Sequence, residues 1–473
     1  MSELASLCDR IRDKTAVICI VGLGYVGLPT ALCFAEHGYT VLGADKKAEV
    51  VDLVNAGGCH IRDLGLDGRV RDAVASNRLR ATTDTAAAVR ASDVVIIVVP
   101  TPVTQDKRPD LTPVISAGDD IAKGLGAGKL VVLESTVYPG VTEDVLKPVL
   151  ERSGLVAGHD FGLAHCPERY NPGDADHTIA DVVRVVGGIT PEWGRVTAGL
   201  YGCIAKDVCL VEDIKTAEAA KIIENVQRDL NIALMNELAL IFERMGIDVM
   251  DVIRAASTKW NFNTYYPGAG VGGHCLPVDP YYLVNKAEEL GYHPLVITAG
   301  RTVNDGMPLH IFDLLVEGLN GRERALKNSK IVVLGFSYKE NVGDPRETPV
   351  VTLIEELIKR EARIHIVDPH VEDSCLERYG RREKDLYDAL AGADALVLMT
   401  AHREFLGLDL KRARGLMRTP VIVDGRRIYD RYEAMALGFT YMGVGAPNTK
   451  GQPLKREEAL PGAQMEAPLW PPV

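Results

Sequence analysis

One cysteine of this chain lies in a loop that has almost no side chains. Residues 268–282 read GAGVGGHCLPVDPYY, with four glycines among the seven residues before Cys275. Such a loop exposes backbone N–H groups and lets a phosphate or an oxyanion approach closely, as acyl chemistry on a thiolate would use. A lone cysteine is more often an inert buried side chain, so the surrounding glycines are what make Cys275 a candidate nucleophile.

A carboxylate follows the thiol at short range. Asp279 comes four residues after Cys275 and could lie near it if Pro277 closes a turn. The ordinary alternative is that Asp279 caps the helix that begins with PYYLVNKAEEL. His274 is adjacent to the cysteine, so its side chain is expected to point elsewhere. Neither a Cys/His pair nor a metal site is predicted from this adjacency.

Two polar residues share one face of a predicted helix. Lys221 and Asn225 are four residues apart and are flanked by apolar side chains. A lysine on a mostly buried helix needs a partner. From the residues alone, the favoured interpretation is a lysine that is paired with Glu218 or Glu224 or that extends its amine to the surface.

A glycine-rich motif near the start has the context of a dinucleotide site. Gly22, Gly24 and Gly27 form GxGxxG between a predicted strand and a predicted helix, and Asp45 ends the next predicted strand. The glycines permit a tight turn and bring a pyrophosphate to the helix N-terminus, where free N–H groups favour anions. Asp45 would accept hydrogen bonds from both ribose hydroxyls, which favours NAD, although the two lysines that follow leave NADP open.

Alternating strands and helices would hold these residues. From Thr15 to Asp45 the sequence has the pattern of one βαβ unit. Four further buried strands are predicted, separated by helical patterns, at 94–99, 130–133, 161–164 and 183–186. This alternation is typical of a doubly wound parallel sheet.

A long helix and a second α/β region follow. Residues 216–245 contain no glycine or proline and precede Gly246, which predicts a helix about 45 Å long. The strand pattern returns at 330–335, 364–370, 395–400 and 421–427. No GxGxxG motif accompanies it, so a mononucleotide or no ligand is expected there. Lys339 and Arg346 lie where open α/β sheets bind ligands, with solvated surface charge as an equal alternative.

Composition excludes several classes of protein. The chain has 473 residues, 47% apolar, and a net charge of −12, which predicts an ordinary globular protein without a basic surface for nucleic acid. Without a signal-peptide pattern or a long apolar run, a cytoplasmic location is expected. Nine cysteines without a CxxC pair argue against disulfides or structural zinc, and most are expected to be buried. The proline-rich stretch from about Ala446 is expected to be a dispensable tail.

In combination, the motifs resemble those of one enzyme family. Their order is GLGYVG, PTP (100–102), EST (134–136), CPER (166–169), the helix with Lys221 and Asn225, GGHCLPVDP and YKENVGDPRETP. Over residues 14–440 this order is similar to that of the nucleotide-sugar 6-dehydrogenases, the UDP-glucose/GDP-mannose dehydrogenase family. GGHC followed by PVDP resembles the branch that acts on UDP-N-acetylhexosamines.

The resemblance implies an activity and an architecture. The family oxidises the sugar C6 alcohol to a carboxylate with two NAD+, for the synthesis of surface polysaccharide or glycan precursors. The implied fold is α/β, with two Rossmann-like doubly wound domains joined by a long central helix and a helical middle domain. The implied segments are an NAD-binding domain (1–205), a dimerisation domain with the cysteine loop (206–320), a UDP-sugar-binding domain (321–445) and a flexible tail (446–473). A homodimer or higher homo-oligomer is expected, without nucleic-acid or membrane partners.

The resemblance also implies roles for individual residues. Cys275 would be the nucleophile, Lys221 and Asn225 would stabilise oxyanions, and Asp279 would steer protons or water. Thr136 and Glu168 would position the C6 group and the hydrolytic water. The residues implied for NAD are Gly22, Gly24, Tyr25, Val26, Gly27, Asp45, Thr101 and Thr136. Those implied for the nucleotide sugar are Arg169, Lys221, Asn225, Gly272, Gly273, Lys339 and Arg426. No metal ligand is implied.

One position departs from the family pattern. In the UDP-glucose branch a second glutamate follows four residues after the one that matches Glu168. This chain has Pro172 there. The network that positions water is therefore expected to differ from that branch.

Several alternatives stay open. The chain could be a UDP-glucose 6-dehydrogenase. It could also be a single-step NAD dehydrogenase of a 2- or 3-hydroxy acid, which would leave Cys275 and the second α/β region unexplained. A catalytically silent nucleotide-sugar-binding protein would be favoured if the cysteine, the lysine or the aspartate were absent, and all three are present. The sequence does not choose among UDP-GlcNAc, UDP-GalNAc and UDP-ManNAc, because these sugars differ at single stereocentres.

Overall fold

The computed structural model describes residues 3–61, 65–104, 106–169 and 181–447. Pro172 and the predicted tail beyond Pro447 lie outside these residues. The chain forms two compact units. The first comprises Met1–Asn225 and Val278–His293, and the second comprises Val226–Pro277 and Pro294–Val473. The three-domain boundaries implied by the resemblance stay a prediction.

The first unit is built on a sheet of eight strands. Strands β1 to β8 are Val17–Val21, Thr40–Ala44, Leu79–Thr82, Val94–Ile97, Leu130–Leu133, Gly162–His165, Arg184–Gly188 and Val208–Leu210. Their spatial order is β3-β2-β1-β4-β5-β6-β7-β8, and among these strands only β6 and β7 pair antiparallel. The first six follow the 3-2-1-4-5-6 order of dinucleotide-binding folds, which bind ligands outside the carboxyl ends of the strands.

Helices flank this sheet. Helices α1 to α8 are Glu3–Arg12, Gly27–Glu36, Ala48–Asn55, Asp67–Ala75, Thr85–Arg90, Thr112–Ala122, Lys147–Leu150 and Pro191–Tyr201, with a π-helical turn at Val141–Leu146 and a 3-10 turn at Glu151–Ser153. Side chains of β1 alternate between two apolar clusters. Ile18 and Ile20 pack in one cluster, and Cys19 and Val21 in the other. β1 is therefore buried on both faces, as a central parallel strand requires.

Four helices follow the first sheet in the chain. They are α9 (Ile214–Met245), α10 (Val249–Ala256), α11 (Asp279–Glu289) and α12 (Leu295–Asn320). α9 has 32 residues. At 1.5 Å per residue it is about 48 Å long, so the predicted long helix is confirmed.

The second unit contains a sheet of six parallel strands. Strands β9 to β14 are Lys330–Leu334, Arg363–Val367, Arg381–Arg382, Ala395–Leu398, Val421–Asp424 and Thr440–Gly443. Their order is β11-β10-β9-β12-β13-β14, which again is the 3-2-1-4-5-6 pattern. The accompanying helices α13 to α18 are Val350–Lys359, Asp373–Leu376, Leu386–Leu390, Arg403–Leu406, Leu410–Leu416 and Arg431–Ala436.

The predicted fold class, α/β with two doubly wound sheets and a long helix, is confirmed. Two apolar clusters cover the second sheet, with Ile331 and Val333 on one face and Val332 and Leu334 on the other. Among the helices that the structure describes, none is both long enough and apolar enough to cross a bilayer.

Candidate active site

The glycine motif forms a tight turn that requires glycine at two of its three positions. Gly22 has a positive φ of 97°, and a Cβ atom there would lie 2.4 Å from the carbonyl oxygen of Val98. A Cβ atom on Gly27 would lie 1.9 Å from the carbonyl oxygen of Gly22. At Gly24 no atom lies within 4 Å of the corresponding position. The turn is closed on the protein side and open at Gly24, which fits the close approach of a pyrophosphate.

Asp45 lies beside this turn. Its carboxylate accepts the backbone N–H groups of Leu23 at 2.8 Å and Lys47 at 2.9 Å, one on each oxygen. Each oxygen has a second lone pair, so a ribose diol could still donate to this half-buried carboxylate. Lys46, which left NADP open, donates to the hydroxyl of Ser116. The acceptor lone pairs of Asp45 and the open space at Gly24 therefore fit NAD.

The remaining residues implied for NAD follow strand ends or begin a helix in the same unit. Tyr25 and Val26 are half-buried residues just before α2. Thr101 lies beyond β4, and its carbonyl oxygen accepts a hydrogen bond from the hydroxyl of Tyr282. Thr136 is half-buried beyond β5. These positions agree with the ligand-binding edge of the sheet.

Lys221, Asn225 and Asp279 form a cluster in the first unit. The side-chain amide of Asn225 donates to Asp279 at 2.5 Å. Asp279 is 2% exposed, and this burial raises its pKa to about 6 although the Lys221 charge and the Asn225 hydrogen bond lower it. A carboxyl with a pKa near neutrality can take up and release protons at working pH.

The structure shows which partners these residues and their neighbours have. Asp279 is the first residue of α11, but its carboxylate bonds Asn225 and not the helix backbone. The two expected partners of Lys221 are engaged elsewhere. Glu218 accepts from the amides of Gly140 and Thr142. Glu224 pairs with Arg169 at 2.7 Å.

A buried charge cluster lies at the ends of β5, β6 and β7. One guanidinium nitrogen of Arg184 is 3.1 Å from Glu134 and 2.9 Å from Glu168. The hydroxyl of Tyr201 donates to the second oxygen of Glu134 at 3.1 Å. Burial raises the pKa of Glu134 to about 8, against the lowering effect of Arg184. Two carboxylates thus share one cation in a dry site, which favours the retention of one proton by the pair.

This cluster contains two residues that the sequence analysis missed. Glu134 stands within the EST motif, but no spacing rule links it to Arg184, which is 50 residues away.

The cluster also constrains two predicted site residues. Glu168 additionally accepts the N–H of Arg169 at 2.7 Å. The guanidinium of Arg169 bonds Glu224 and the carbonyl oxygen of Val183, so a nucleotide sugar would have to share it.

In the second unit, the glycines before Cys275 allow close packing against other side chains. A Cβ atom on Gly272 would lie 2.8 Å from both Tyr338 and Pro349. Gly273 has a φ of 94°, and a Cβ atom there would lie 2.7 Å from the Tyr338 ring. Burial raises the pKa of Tyr338 to about 12, with smaller contributions from Asp344 and Cys275. The glycine content therefore reflects close contact with Tyr338 and Pro349 as well as any exposed amides.

Three other cysteines are more buried than Cys275. Cys19, Cys33 and Cys166 are buried, and burial raises the pKa of Cys19 to about 12 and of Cys33 to about 11. Cys275 is half-buried. The expectation that most cysteines are buried was wrong, because five of the nine are half-buried and Cys209 is exposed.

Lys339 and Arg426 follow the carboxyl ends of β9 and β13. Lys339 is 7% exposed, and its carbonyl oxygen accepts the hydroxyl of Ser337 at 2.8 Å. Arg426 forms an ion pair with Glu340, the neighbour of Lys339. Arg426 is thus paired with the residue that directly follows Lys339 in the chain.

One group of side chains has the spacing of a metal site. His370, His402 and Glu404 offer ligand atoms within 4.8 Å of one another. His402 has no free ring nitrogen for a metal, since Nδ1 accepts the N–H of Asn341 at 2.9 Å and Nε2 faces Asp368 at 3.1 Å. The group therefore supports no metal role, and the absence of a metal stays a prediction.

Family models match most of the chain. Residues 16–205 match the NAD binding domain of the UDP-glucose/GDP-mannose dehydrogenase family, 215–306 its central domain and 332–431 its UDP binding domain. The predicted NAD cofactor is therefore confirmed.

Relatives extend the match to nearly whole chains. The chain is 40% identical over 411 residues to UDP-N-acetyl-D-glucosamine 6-dehydrogenase of Pseudomonas aeruginosa, covering 85% of this chain and 94% of that protein. It is 36% identical over 430 residues to NDP-N-acetyl-D-galactosaminuronic acid dehydrogenase of Ralstonia solanacearum, covering 89% and 98%.

A solved structure has the same fold. The UDP-D-ManNAc dehydrogenase structure from Pyrococcus horikoshii superposes with a TM-score of 0.85 at 34% identity, covering 92% of this chain and 100% of that one. Since three domain models match in order and relatives match over most of both lengths, this chain belongs to the UDP-glucose/GDP-mannose dehydrogenase family of NAD-dependent dehydrogenases.

Proposed function

We propose that this chain oxidises the C6 hydroxyl of a UDP-N-acetylhexosamine to the carboxylate, with Cys275 as covalent nucleophile. The observation that carries the proposal is the cluster of Lys221, Asn225 and the buried Asp279, four residues from a half-buried cysteine. Asp279 follows Cys275 by four residues, a stretch of chain that spans at most about 14 Å. The names of the relatives support the acetylated sugars over UDP-glucose.

The first oxidation removes the C6 hydroxyl proton and one hydride. NAD+, held by the glycine turn and Asp45, supplies the hydride acceptor for both oxidations. Asp279 is the group with a suitable pKa for the proton, directly or through water. The Lys221 ammonium would stabilise the negative charge that develops on the C6 oxygen.

The second oxidation needs the thiol. The Cys275 thiolate adds to the aldehyde carbon, the C=O π electrons move to oxygen, and a thiohemiacetal forms. Lys221 and Asn225 would stabilise that oxyanion, each good donor contributing about 3 kcal/mol to the transition state. Loss of the second hydride gives a thioester on Cys275.

Hydrolysis completes the reaction. Water adds to the thioester carbonyl, the C–S bond breaks, and the carboxylate leaves with the thiolate restored. We assign Glu168 to the positioning of that water, with its carboxylate held in place by the ion pair with Arg184 at 2.9 Å. In total one alcohol and one water give one carboxylate, two hydrides and three protons. Because hydrolysis is downhill, it draws the reversible first oxidation forward.

The test is the stoichiometry of NADH. Purified chain would be given NAD+ and limiting UDP-GlcNAc, UDP-GalNAc, UDP-ManNAc or UDP-glucose in parallel, and NADH would be measured against sugar consumed. We expect two NADH per sugar with one of the acetylated sugars and slower turnover of UDP-glucose. One NADH per substrate would instead support a single-step dehydrogenase, and UDP-sugar binding without turnover would support a silent binding protein.

We further propose that the chain works as a homodimer or higher oligomer. Leu234, Ile241 and Met245 lie on one face of α9 and are 49%, 44% and 62% exposed. A stripe of half-exposed apolar side chains on a helix is typical of a surface that is covered by a partner. The cytoplasmic location and a role in polysaccharide precursor synthesis belong to the same proposal.

Asp45 should decide the cofactor. We expect the wild-type chain to prefer NAD+ to NADP+ strongly, because a 2′-phosphate would meet the Asp45 carboxylate. Asp45→Asn should raise the KM for NAD+ about 10-fold or more, since the negative charge is removed and one acceptor oxygen is replaced by an NH2 donor. The measurement is kcat/KM with both cofactors, and Asp52→Asn, an exposed aspartate on α3, is the matched control. Equal efficiency of the wild type with NADP+ would refute the assignment.

A further inference from the structure

Each of the two sheets has an aspartate directly after its second strand, and the two aspartates differ in their surroundings. Asp368 follows β10 as Asp45 follows β2. It accepts the amides of Phe336 at 2.6 Å and His370 at 2.8 Å, as Asp45 accepts those of Leu23 and Lys47. In the first unit this carboxylate is half-buried, whereas Asp368 is 2% exposed.

Additional donors saturate Asp368. The amides of Ser337 and Val371 donate to it, and His402 Nε2 approaches it at 3.1 Å. A carboxylate has about four lone-pair positions, so these donors leave none for a ribose. Asp368 therefore has no free acceptor for a nucleotide. It binds backbone amides of the protein's own loop instead, those of Phe336 and Ser337.

The protonation of His402 follows from its neighbours. Nδ1 lies 2.9 Å from the N–H of Asn341 and must accept, so the ring proton is on Nε2. Nε2–H then donates to Asp368 or to the hydroxyl oxygen of Ser337 at 3.2 Å. His402 is 0% exposed. The neutral ring thus links the fixed Asp368 to a loop amide, and both of its nitrogens are used.

The loop held in this way is residues 336–344. Asn341 has a left-handed φ of 60° and is fixed from both sides, because its side-chain oxygen also accepts the N–H of Arg403 at 3.0 Å. Earlier in the loop, the hydroxyl of Thr400 donates to the carbonyl of Ser337 at 2.6 Å. The segment just after β12 therefore anchors the loop at two points.

We propose that His402 is a positioning residue for the nucleotide sugar, acting through the loop 336–344. The loop carries Lys339, and the role of Lys339 in substrate binding rests on the proposed function. It also carries Glu340, which pairs with Arg426, and Tyr338, which packs on Gly272 and Gly273 before Cys275. The buried imidazole of His402 thus positions both Lys339 and the Tyr338 ring that contacts the glycines before Cys275.

Three replacements of His402 separate the two hydrogen bonds. Asparagine can place an oxygen near the Nδ1 position and still accept from Asn341, whereas glutamine can place a nitrogen near Nε2 and still donate to Asp368. Alanine removes both. The matched control is His370→Ala, which removes the ring that lies 4.7 Å from that of His402 but no hydrogen bond from the loop.

The measurements are the Kd of UDP and of NAD+ by calorimetry, and amide hydrogen exchange of 336–344 in the ligand-free full chain. We expect His402→Ala to weaken UDP binding about 10-fold or more, as for a buried amide left unpaired, and to accelerate exchange in the loop with unchanged NAD+ binding. Asparagine should restore most of the UDP affinity and glutamine should not, while His370→Ala should resemble wild type.

Two failures would be distinguishable. Unchanged exchange of 336–344 in His402→Ala, equal loss of UDP and NAD+ binding, or equal rescue by glutamine would overturn the positioning role. Unchanged UDP affinity in Lys339→Ala would instead overturn the assignment of Lys339 under the proposed function. The exchange measurement needs no ligand, so it tests His402 in either case.

Discussion

Replacing Cys275 by serine is expected to stop the reaction after the first oxidation and to lower carboxylate formation by roughly 10³-fold or more. A serine hydroxyl is almost fully protonated near neutral pH, whereas a thiol gives appreciable thiolate. An oxygen ester, once formed, also reacts with water more slowly than a thioester. The variant should therefore bind both ligands and give at most one NADH per sugar.

The measurement combines NADH yield with mass spectrometry of protein quenched during turnover. Wild type should show an adduct on the peptide that contains Cys275, and the serine variant should show none or a long-lived ester. Cys209→Ser, which removes the exposed cysteine, is the control for nonspecific thiol effects. Two NADH per sugar at the wild-type rate in Cys275→Ser would contradict covalent catalysis, as would full activity after alkylation of Cys275 in the Cys209→Ser background.

The local pattern of apolar and polar residues was sufficient to predict the central strands and the long helix. The strand predicted at 130–133 has those bounds in the structure, and α9 begins two residues before its predicted start. β3, β8, β11 and β14 were missed. They lie at or near sheet edges, and β11 consists of two arginines, so no apolar run marks them. Edge strands need less burial, and their sequences carry less of the signal on which such predictions depend.

The site could be predicted only where its residues are close in the chain. The glycine turn and the Cys275 to Asp279 segment are local, and the tight turn that spacing suggested is present at Gly22 and Gly27. The bond from Asn225 to Asp279 joins residues 54 apart, and the sharing of Arg184 by two glutamates joins three strand ends. Such contacts follow from sheet order, which a single sequence does not determine. The contacts of His402 with Asp368 and Asn341 join residues 34 and 61 apart, so the sequence did not predict the role proposed for His402.

Asp279→Asn is expected to lower turnover by about 100-fold or more, because an amide cannot accept the proton that leaves the C6 hydroxyl. The hydrogen bond from Asn225 can be kept by the amide oxygen, so UDP-sugar and NAD+ binding should change little. The measurement is kcat and KM for both substrates. Asp251→Asn, in the first turn of α10, is the control for loss of a carboxylate near a helix start. Near wild-type kcat in Asp279→Asn would remove Asp279 from the mechanism.

The same substitution should stabilise the fold above pH 6. Burial raises the pKa of Asp279 from 3.8 to about 6, so its contribution to stability is full below about pH 4 and is lost as the pH rises through 6. Two pKa units correspond to about 3 kcal/mol of unfolding free energy. The wild type loses this stability when Asp279 ionises, so it lacks it at pH 8, whereas the asparagine variant has no ionisable group there and keeps it. Calorimetric Tm values should therefore be similar at low pH and higher for Asp279→Asn at pH 8, whereas Asp251→Asn should show no such divergence. A Tm difference between the variant and wild type that is the same at every pH would contradict the prediction, because it would show that ionisation of Asp279 costs no stability, with Lys221 and Asn225 compensating its burial in full.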